Sequence, residues 1–117
     1  MMSPITVHVL DTALGKPAAG VPIELSRLTH AERDAQMTQL ARGATNSDGR
    51  VLDLLEPGSL QCGVYVLRFD TAHYFAQTQR NSFYPQVSIV FEIRAASEHY
   101  HVPLLLSPFG YSTYRGS

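Results

Sequence analysis

Alternation of apolar and polar side chains with a period of two is the feature that most constrains how this chain folds. The clearest examples are "ITVHVLD" (5–11), "VYVLRFD" (64–70), "PQVSIVFEIR" (85–94) and "YHVPLLLS" (100–107). Successive side chains on a β-strand point to opposite faces of the sheet, so each segment presents one apolar face and one mixed face. Turn-forming residues separate the segments, which is typical of an all-β sandwich or barrel.

Three further segments are also predicted to be strands: "VPIELSRLT" (21–29), "QLARGA" (39–44) and "GYSTYRG" (110–116). The segment "AERDAQMT" (31–38) fits either a short helix or a loop. "TAHYFAQTQ" (71–79) predicts a helix, since it lacks Gly and Pro and Thr71 can act as its N-cap. The pattern predicts one all-β domain over residues 1–117, with seven or eight strands and one short helix.

Two of the predicted strands carry a histidine on the face opposite their apolar one. The residues expected to face the core are Ile5, Val7, Val9, Tyr100, Val102, Leu104 and Leu106. This turns His8 and His101 outward. The outer face also carries Leu10, Pro103 and Leu105. Apolar residues on an outer face need a cover, and a second copy of the chain is the simplest one. Pro103 cannot donate to a strand ladder, so we expect a bulge or an unpaired position there.

Composition excludes several functional classes. The formal net charge is −1, with Lys and Arg dispersed along the chain, which gives no electrostatic footprint for nucleic acid or an anionic membrane. Cys62 is the only cysteine, so an internal disulfide framework is excluded and a reducing compartment is favoured. The segment "MMSPITVHVLD" does not resemble a secretory signal, and no stretch approaches the ~18 apolar residues of a membrane span. We therefore expect a cytoplasmic protein.

The histidines offer two kinds of chemistry. His99 and His101 form an H-x-H pair, which on a strand places both rings on one face, and with His8 they can ligate zinc. The second kind needs no metal, because a neutral imidazole can take a proton from water near pH 7. Arg50, directly after the "SDG" turn, can hold an oxygen-rich substrate. The pattern alone leaves both open and names no reaction.

Three segments together resemble the 5-hydroxyisourate hydrolases, the enzymatic branch of the transthyretin-like family. They are "HVLDTALGKPAAGVPIEL" near the start, "TNSDGR" in the middle and "HYHVPLLLSPFGYSTYRGS" at the end. With "FYPQVSIVFEI" and the spacing between the segments, the resemblance covers nearly the whole chain. The terminal Y-R-G-S tetrapeptide is the hallmark of the enzymes, and the hormone-carrying transthyretins lack it.

The resemblance implies a transthyretin-like sandwich of two four-stranded sheets with one short helix. It also implies a homotetramer, built as a dimer of dimers, with active sites in the channel between the dimers. The implied reaction opens 5-hydroxyisourate, the product of urate oxidation, at its cyclic amide. The product is 2-oxo-4-hydroxy-4-carboxy-5-ureidoimidazoline, on the way to allantoin. No metal or other cofactor is expected.

The family's functional residues fall on matching positions of this chain. Its first histidine, in "HVLD", matches His8; its arginine, in "DGR", matches Arg50; its second histidine, in "HVPLL", matches His101 and not His99. The resemblance implies catalytic roles for His8, Arg50, His101 and Ser117. It implies substrate-binding roles for Tyr114, Arg115 and Gly116. In the carriers, the positions matching the two histidines and the arginine hold other residue types.

Two alternatives stay open. One is a transthyretin-like carrier that binds a small molecule in the channel without catalysis. The other is a zinc hydrolase built on His8, His99 and His101. The sequence does not decide which histidine acts as the general base, because two neighbouring histidines can titrate as a coupled pair.

Overall fold

Nine strands and one helix form the structure, a computed structural model that describes residues 3–31 and 34–117. Within these residues the strands are β1 (Ile5–Asp11), β2 (Lys16–Pro17), β3 (Pro22–Ala31), β4 (Asp34–Ala44), β5 (Arg50–Val51), β6 (Gly63–Phe69), β7 (Val87–Ile93), β8 (Tyr100–Ser107) and β9 (Gly110–Thr113). The helix α1 spans Thr71–Gln77. The predicted strands at 5–11, 85–94 and 100–107 are confirmed to within two residues at each end.

The strands form two sheets that enclose one apolar core. The first sheet has the order β2-β1-β8-β9, with β5 also paired to β1, and the second has the order β4-β3-β6-β7. β1 and β8 run parallel, and the other strand pairs found among the described residues are antiparallel. This confirms the all-β sandwich with one short helix. The first sheet differs from the expected four strands by one, because β5 adds a two-residue pairing beside β1.

The core lies where the alternation places it. The predicted core faces of β1 and β8 are both buried, and residues of β3, β6, β7 and α1 complete the same apolar cluster. Full burial of a Val, Leu, Ile or Phe side chain in this cluster stabilises the fold by about 1.5–3 kcal/mol. The opposite face of the first sheet is left with half-buried residues, among them His8, Leu10, His101 and Leu105. The packing therefore fixes which face of β1 and β8 remains available for function.

Two local predictions are wrong. The segment 31–38 is neither a helix nor a loop where the structure describes it: Ala31 ends β3 and Asp34 begins β4, while residues 32 and 33 lie outside the described residues. β4 is an edge strand with an exposed end, which suits its polar residues. The N-cap of α1 is Asp70, whose Oδ1 accepts from the His73 amide at 3.1 Å. Thr71 instead donates its hydroxyl proton to the Tyr84 carbonyl at 2.6 Å.

No helix in the described part of the chain is long and apolar enough to cross a membrane.

Candidate active site

Two neighbouring strands place His8 and His101 on the same outer face. The parallel register of β1 and β8 aligns Thr6 with His101 and His8 with Pro103. The two imidazole rings lie 6.4 Å apart between centroids, with an angle of 33° between their planes. The predicted outward orientation of both histidines thus brings their rings close enough to act on one small molecule.

Arg50 reaches the same face from the other side of β1. The antiparallel pairing of β5 with β1 places Arg50 opposite His8. The preceding turn is held by Asn46, whose Oδ1 accepts from the amides of Asp48 and Arg50 at 2.9 and 3.0 Å. Gly49 has φ 72°, and a Cβ there would lie 2.4 Å from the Val9 carbonyl oxygen. The predicted "SDG" turn is confirmed, and it fixes the arginine beside the histidines.

Thr6 is a member of this cluster that the sequence analysis missed. Its Oγ1 lies 2.8 Å from His101 Nδ1 and 3.2 Å from His99 Nε2. The side chain of His99 is exposed, whereas Thr6 is only 2% exposed. Thr6 stands two residues before His8, so period-two alternation alone could have placed both on one face. Its position opposite His101 needed the pairing of β1 with β8.

The surroundings favour neutral histidines. Burial lowers the pKa of His8 below its ordinary value, and the positive charge of Arg50 lowers it further. A hydrogen bond to the Asp48 backbone and the Asp48 charge oppose this without reversing it. Burial also lowers the pKa of His101, followed by the charges of Arg50, His8 and His99. Neutral imidazoles that are ready to accept a proton therefore persist to lower pH than for a free histidine.

The C-terminal tail approaches His101 through its backbone. After β9 ends at Thr113, the Gly116 amide donates to the His101 carbonyl at 2.8 Å and forms an isolated antiparallel bridge. A Cβ on Gly116 would lie 2.7 Å from His101 Cδ2, so only glycine permits this approach without a shift. The expected strand over 110–116 is thus shorter than predicted.

The β8–β9 ladder is open at Pro103. Pairing stops at Leu104 with Thr113 and resumes only at the His101–Gly116 bridge. Thr113 donates its hydroxyl proton to the Pro103 carbonyl at 2.7 Å. The expected unpaired position is therefore confirmed on the β9 side. The pairing with β1 runs through Pro103 without a bulge.

The remaining tail side chains are placed less directly at the site. The Arg115 guanidinium lies 4.3 Å from the centroid of the Tyr100 ring, 3.2 Å from Glu98 Oε1 and 3.4 Å from the His99 carbonyl oxygen. Tyr114 is 59% exposed and Ser117 is also exposed. In a single chain the tail brings Gly116 against His101, while Arg115 is directed towards Tyr100.

The geometry gives little support to a zinc site. No group of three or more His, Cys, Asp or Glu side chains in residues 3–31 and 34–117 is placed to hold a metal ion. His99 Nε2 and His101 Nδ1 both point to the Thr6 hydroxyl rather than to a shared open position.

Two cavities help to locate the site. One, of about 290 Å³, lies between β7, β8 and the tail, and His101, Thr113 and Tyr114 are among its lining residues. Neither His8 nor Arg50 lines it. A larger one, of about 490 Å³, lies on the other sheet around Arg42 and Arg68 and holds none of the predicted site residues. The histidines therefore lie on an open face beside the smaller cavity rather than inside a closed pocket.

The comparisons with known proteins identify the family of this chain. Residues 5–116 match the model of the HIUase/Transthyretin family. The chain belongs to this family. It is 49% identical to the 5-hydroxyisourate hydrolase of Mus musculus over 98% of this chain and 96% of that protein.

Solved structures of the HIUase/Transthyretin family share the fold. The 5-hydroxyisourate hydrolase of Klebsiella pneumoniae has a TM-score of 0.81 at 37% identity, covering 97% of both chains. Sea bream transthyretin in complex with thyroxine has a TM-score of 0.88 at 33% identity, covering 97% of this chain and 95% of that one. Because a hydrolase and a transthyretin bound to thyroxine superpose on this chain about equally well, the fold alone does not decide between catalysis and binding.

Proposed function

We propose that this protein hydrolyses 5-hydroxyisourate to 2-oxo-4-hydroxy-4-carboxy-5-ureidoimidazoline, in the degradation of urate to allantoin. The observation that carries the proposal is the convergence of His8, Arg50 and His101 on one face, with the Gly116 backbone against His101. The high identity to named 5-hydroxyisourate hydrolases over nearly the full chain supports it.

The two histidines handle the protons of the reaction. One neutral imidazole removes a proton from water as the water oxygen bonds to the carbonyl carbon of the cyclic amide. The carbon–nitrogen bond then breaks, and the proton is returned to the departing ring nitrogen. The new carboxyl group ionises. His8 and His101 are suited to this exchange because burial and Arg50 keep them neutral.

Arg50 is the group that binds and polarises the substrate oxygens. Its planar guanidinium can donate two parallel hydrogen bonds to an oxygen-rich ring. Such donors stabilise the negative charge that develops on the carbonyl oxygen during attack. Ser117 orients substrate or water from the end of the tail. Tyr114 and Gly116 bound the substrate, and Arg115 does so by holding the tail through its contacts with Tyr100 and Glu98.

The site is completed in a homotetramer, a dimer of dimers. Support comes from the open outer face, where His8, Leu10, His101 and Leu105 remain half-buried in one chain. A second copy over these four residues would exclude water from them and order the exposed tail. We place the protein in the cytoplasm on the basis of its single, unpaired cysteine.

The decisive experiment follows the ultraviolet absorbance of freshly generated 5-hydroxyisourate with and without the purified protein. We expect catalysed decay by the wild type that survives exhaustive chelation. A carrier would leave the spontaneous rate unchanged, and this outcome would refute the proposal. Loss of activity on chelation with recovery on adding zinc would favour the zinc hydrolase instead.

A further inference from the structure

Thr6 is a buried hydroxyl placed between two histidine rings. Its Oγ1 is within hydrogen-bonding distance of His101 Nδ1, at 2.8 Å, and of His99 Nε2, at 3.2 Å. We propose that Thr6 and exposed His99 form a proton relay that switches His101 between its two neutral tautomers during turnover. Thr6 and His99 are thus positioning residues that act through His101. The inference rests on the proposed function, in which His101 exchanges protons with water and the ring nitrogen.

A hydroxyl has one proton, so its two hydrogen bonds are coupled. In the first arrangement His101 Nδ1–H donates to Thr6 Oγ1, and the Thr6 hydroxyl donates to His99 Nε2. His101 Nε2 is then unprotonated and can act as a base. In the second arrangement His99 Nε2–H donates to Thr6, and Thr6 donates to His101 Nδ1. His101 Nε2 then carries the proton and can act as an acid.

The proton balance links the two arrangements. When His101 Nε2 takes a proton from water, its Nδ1 proton passes to Thr6 Oγ1, and the Thr6 proton passes to His99 Nε2. His99 then releases its Nδ1 proton to solvent. When His101 gives its Nε2 proton to the departing ring nitrogen, the three transfers run in reverse and solvent returns one proton through His99. No net proton is lost or gained by the three residues over one turnover.

The charges around His101 disfavour its doubly protonated form, which the relay avoids. Among the described residues, the titratable and charged groups that face it are Arg50 of β5, His8 of β1 and His99. All three are cations or become cations on protonation, so a full imidazolium at His101 is disfavoured. Burial acts in the same direction on its pKa, and a hydrogen bond to the Thr6 backbone opposes these effects without reversing them. The relay lets His101 accept a proton while the positive charge appears on His99, which is exposed to water.

Substitution of Thr6 separates a relay from simple packing. Thr6→Val removes the hydroxyl with little change in shape, whereas Thr6→Ser keeps it. In serine proteases, loss of the group that fixes the histidine tautomer costs about 10⁴-fold in kcat. A neutral hydroxyl is a weaker partner than a carboxylate, so for Thr6→Val we expect a loss of about 10- to 100-fold in kcat, little change in KM and a shifted pH profile. Thr6→Ser, which keeps the hydroxyl, should retain a kcat and a pH profile close to those of the wild type.

The matched control for the loss of a buried hydroxyl is Thr45→Val. Thr45 is buried, and its hydroxyl bonds only to backbone groups, the Ala18 carbonyl at 2.6 Å and the Val21 amide at 2.9 Å. This variant should lose stability without a change in the pH profile. A wild-type kcat and pH profile in Thr6→Val would overturn the relay. Equal losses in Thr6→Val and Thr6→Ser would also overturn it, because they would indicate packing.

His99 provides a second test that does not disturb a buried position. His99→Ala should lower kcat, and added imidazole should restore part of it by taking over the exchange with solvent. The control is His73→Ala, which removes an exposed histidine from α1. Its kcat should equal that of the wild type, both with and without added imidazole. Unchanged kcat in His99→Ala would overturn the relay. Wild-type protein that fails to accelerate decay would instead refute the proposed function, so the two failures are distinguishable.

Discussion

Strand β1 carries a polar cluster on each of its faces, and the two are built on opposite electrostatic principles. The inner cluster consists of Asp11, Tyr74 and Arg80. The histidine cluster consists of His8, Arg50 and His101, on the outer face. Both draw on one strand of seven residues, so the difference between them comes from their partners and not from the backbone.

The inner cluster is closed. Asp11 is 0% exposed, and its carboxylate accepts from the Tyr74 hydroxyl at 2.7 Å, from Arg80 and from the amides of Ala13 and Leu14. Burial alone would raise the pKa of Asp11, but the hydrogen bonds from Arg80 and Tyr74 outweigh it and hold the pKa below its usual value. Burial and the bond to Asp11 raise the pKa of Tyr74 to about 12. Charge and hydrogen bonds are satisfied internally, as stability requires.

The histidine cluster is left unbalanced. Arg50 is positive, and burial together with its charge lowers the pKa of both histidines on this half-buried face. At His8 the charge of Asp48 opposes this without reversing it, unlike the hydrogen-bonded pairing of Asp11 with Arg80. An oxygen-rich substrate can supply the missing acceptors. We propose from this comparison that the inner cluster stabilises the fold and the histidine cluster carries the reaction, so substitutions in the two should affect different measurements.

The largest effect is expected from His8→Asn and His101→Asn. Removing a general acid or base lowers the rate by about 10² to 10⁴-fold. Neither side chain belongs to the apolar core, so both variants should fold and assemble as the wild type does. The measurement is kcat with 5-hydroxyisourate, with circular dichroism and size-exclusion chromatography as controls. Near wild-type turnover in either variant would contradict the assignment of the histidine cluster as the catalytic site.

The inner cluster should show the reverse behaviour. Asp11→Asn leaves Arg80 without its charge partner, and breaking a buried pair costs about 3–5 kcal/mol. Because the Arg80 side chain is 22% exposed and can reach water, we expect the lower end, about 3 kcal/mol in the free energy of unfolding. Turnover per folded molecule should be unchanged. Urea unfolding and kcat measured on the same sample test both statements.

The control for this variant is Glu92→Gln, which removes an exposed ion pair with Arg94 at 3.3 Å. Such pairs contribute about 0–1 kcal/mol. The folded pKa of Asp11 is depressed, so its contribution is present above the unfolded pKa of about 3.9 and is lost as the pH falls through the lower folded value. The difference in the free energy of unfolding between wild type and Asp11→Asn should therefore become smaller in strong acid. If Asp11→Asn loses no more free energy of unfolding than Glu92→Gln does, the stabilising role of Asp11 is refuted.

The outward histidines could be predicted from the sequence because alternation along a strand is local. The core faces of β1 and β8 follow from apolar spacing, and His8 and His101 are then placed by exclusion. Which residue lies opposite which is not local. The alignment of Thr6 with His101 joins positions 95 apart in sequence, and only the packed sheet sets that register.

The same limit explains the remaining differences. Asp70 and Thr71 are both good N-caps, and Thr71 is diverted because the Tyr84 carbonyl lies within reach of its hydroxyl. The resemblance implies that Arg115 takes part in substrate binding, and only the structure shows that its guanidinium contacts Tyr100 and Glu98. In each case a tertiary partner decides between roles that the local sequence allows equally.

A smaller effect is expected from the charge of Arg50. In Arg50→Gln the lowering of both histidine pKa values by this charge is removed, so the acid limb of kcat/KM should move up towards the ordinary value of about 6.5. It should stop short of that value, because burial still acts on both rings. Arg50→Lys keeps the positive charge but loses the planar guanidinium. The acid limb of its kcat/KM profile should therefore stay at the low pH of the wild type, while its KM rises. An unmoved limb in Arg50→Gln would show that this charge does not tune the histidines.

The smallest effect concerns the backbone approach of the tail to His101. In Gly116→Ala the new Cβ would overlap His101 Cδ2 at 2.7 Å and approach Pro103 Cγ at 3.1 Å, so the tail or the ring must shift. A displacement of 1 Å in a catalytic site can cost about 10²-fold, and a partial shift predicts a loss of about 10-fold in kcat without loss of stability. Gly110→Ala, with its nearest contact at 3.8 Å in β9, is the matched control and should keep full activity. Equal activity in the two variants would mean that the tail contributes to the site only through its side chains, in contrast to the backbone contact that the structure shows.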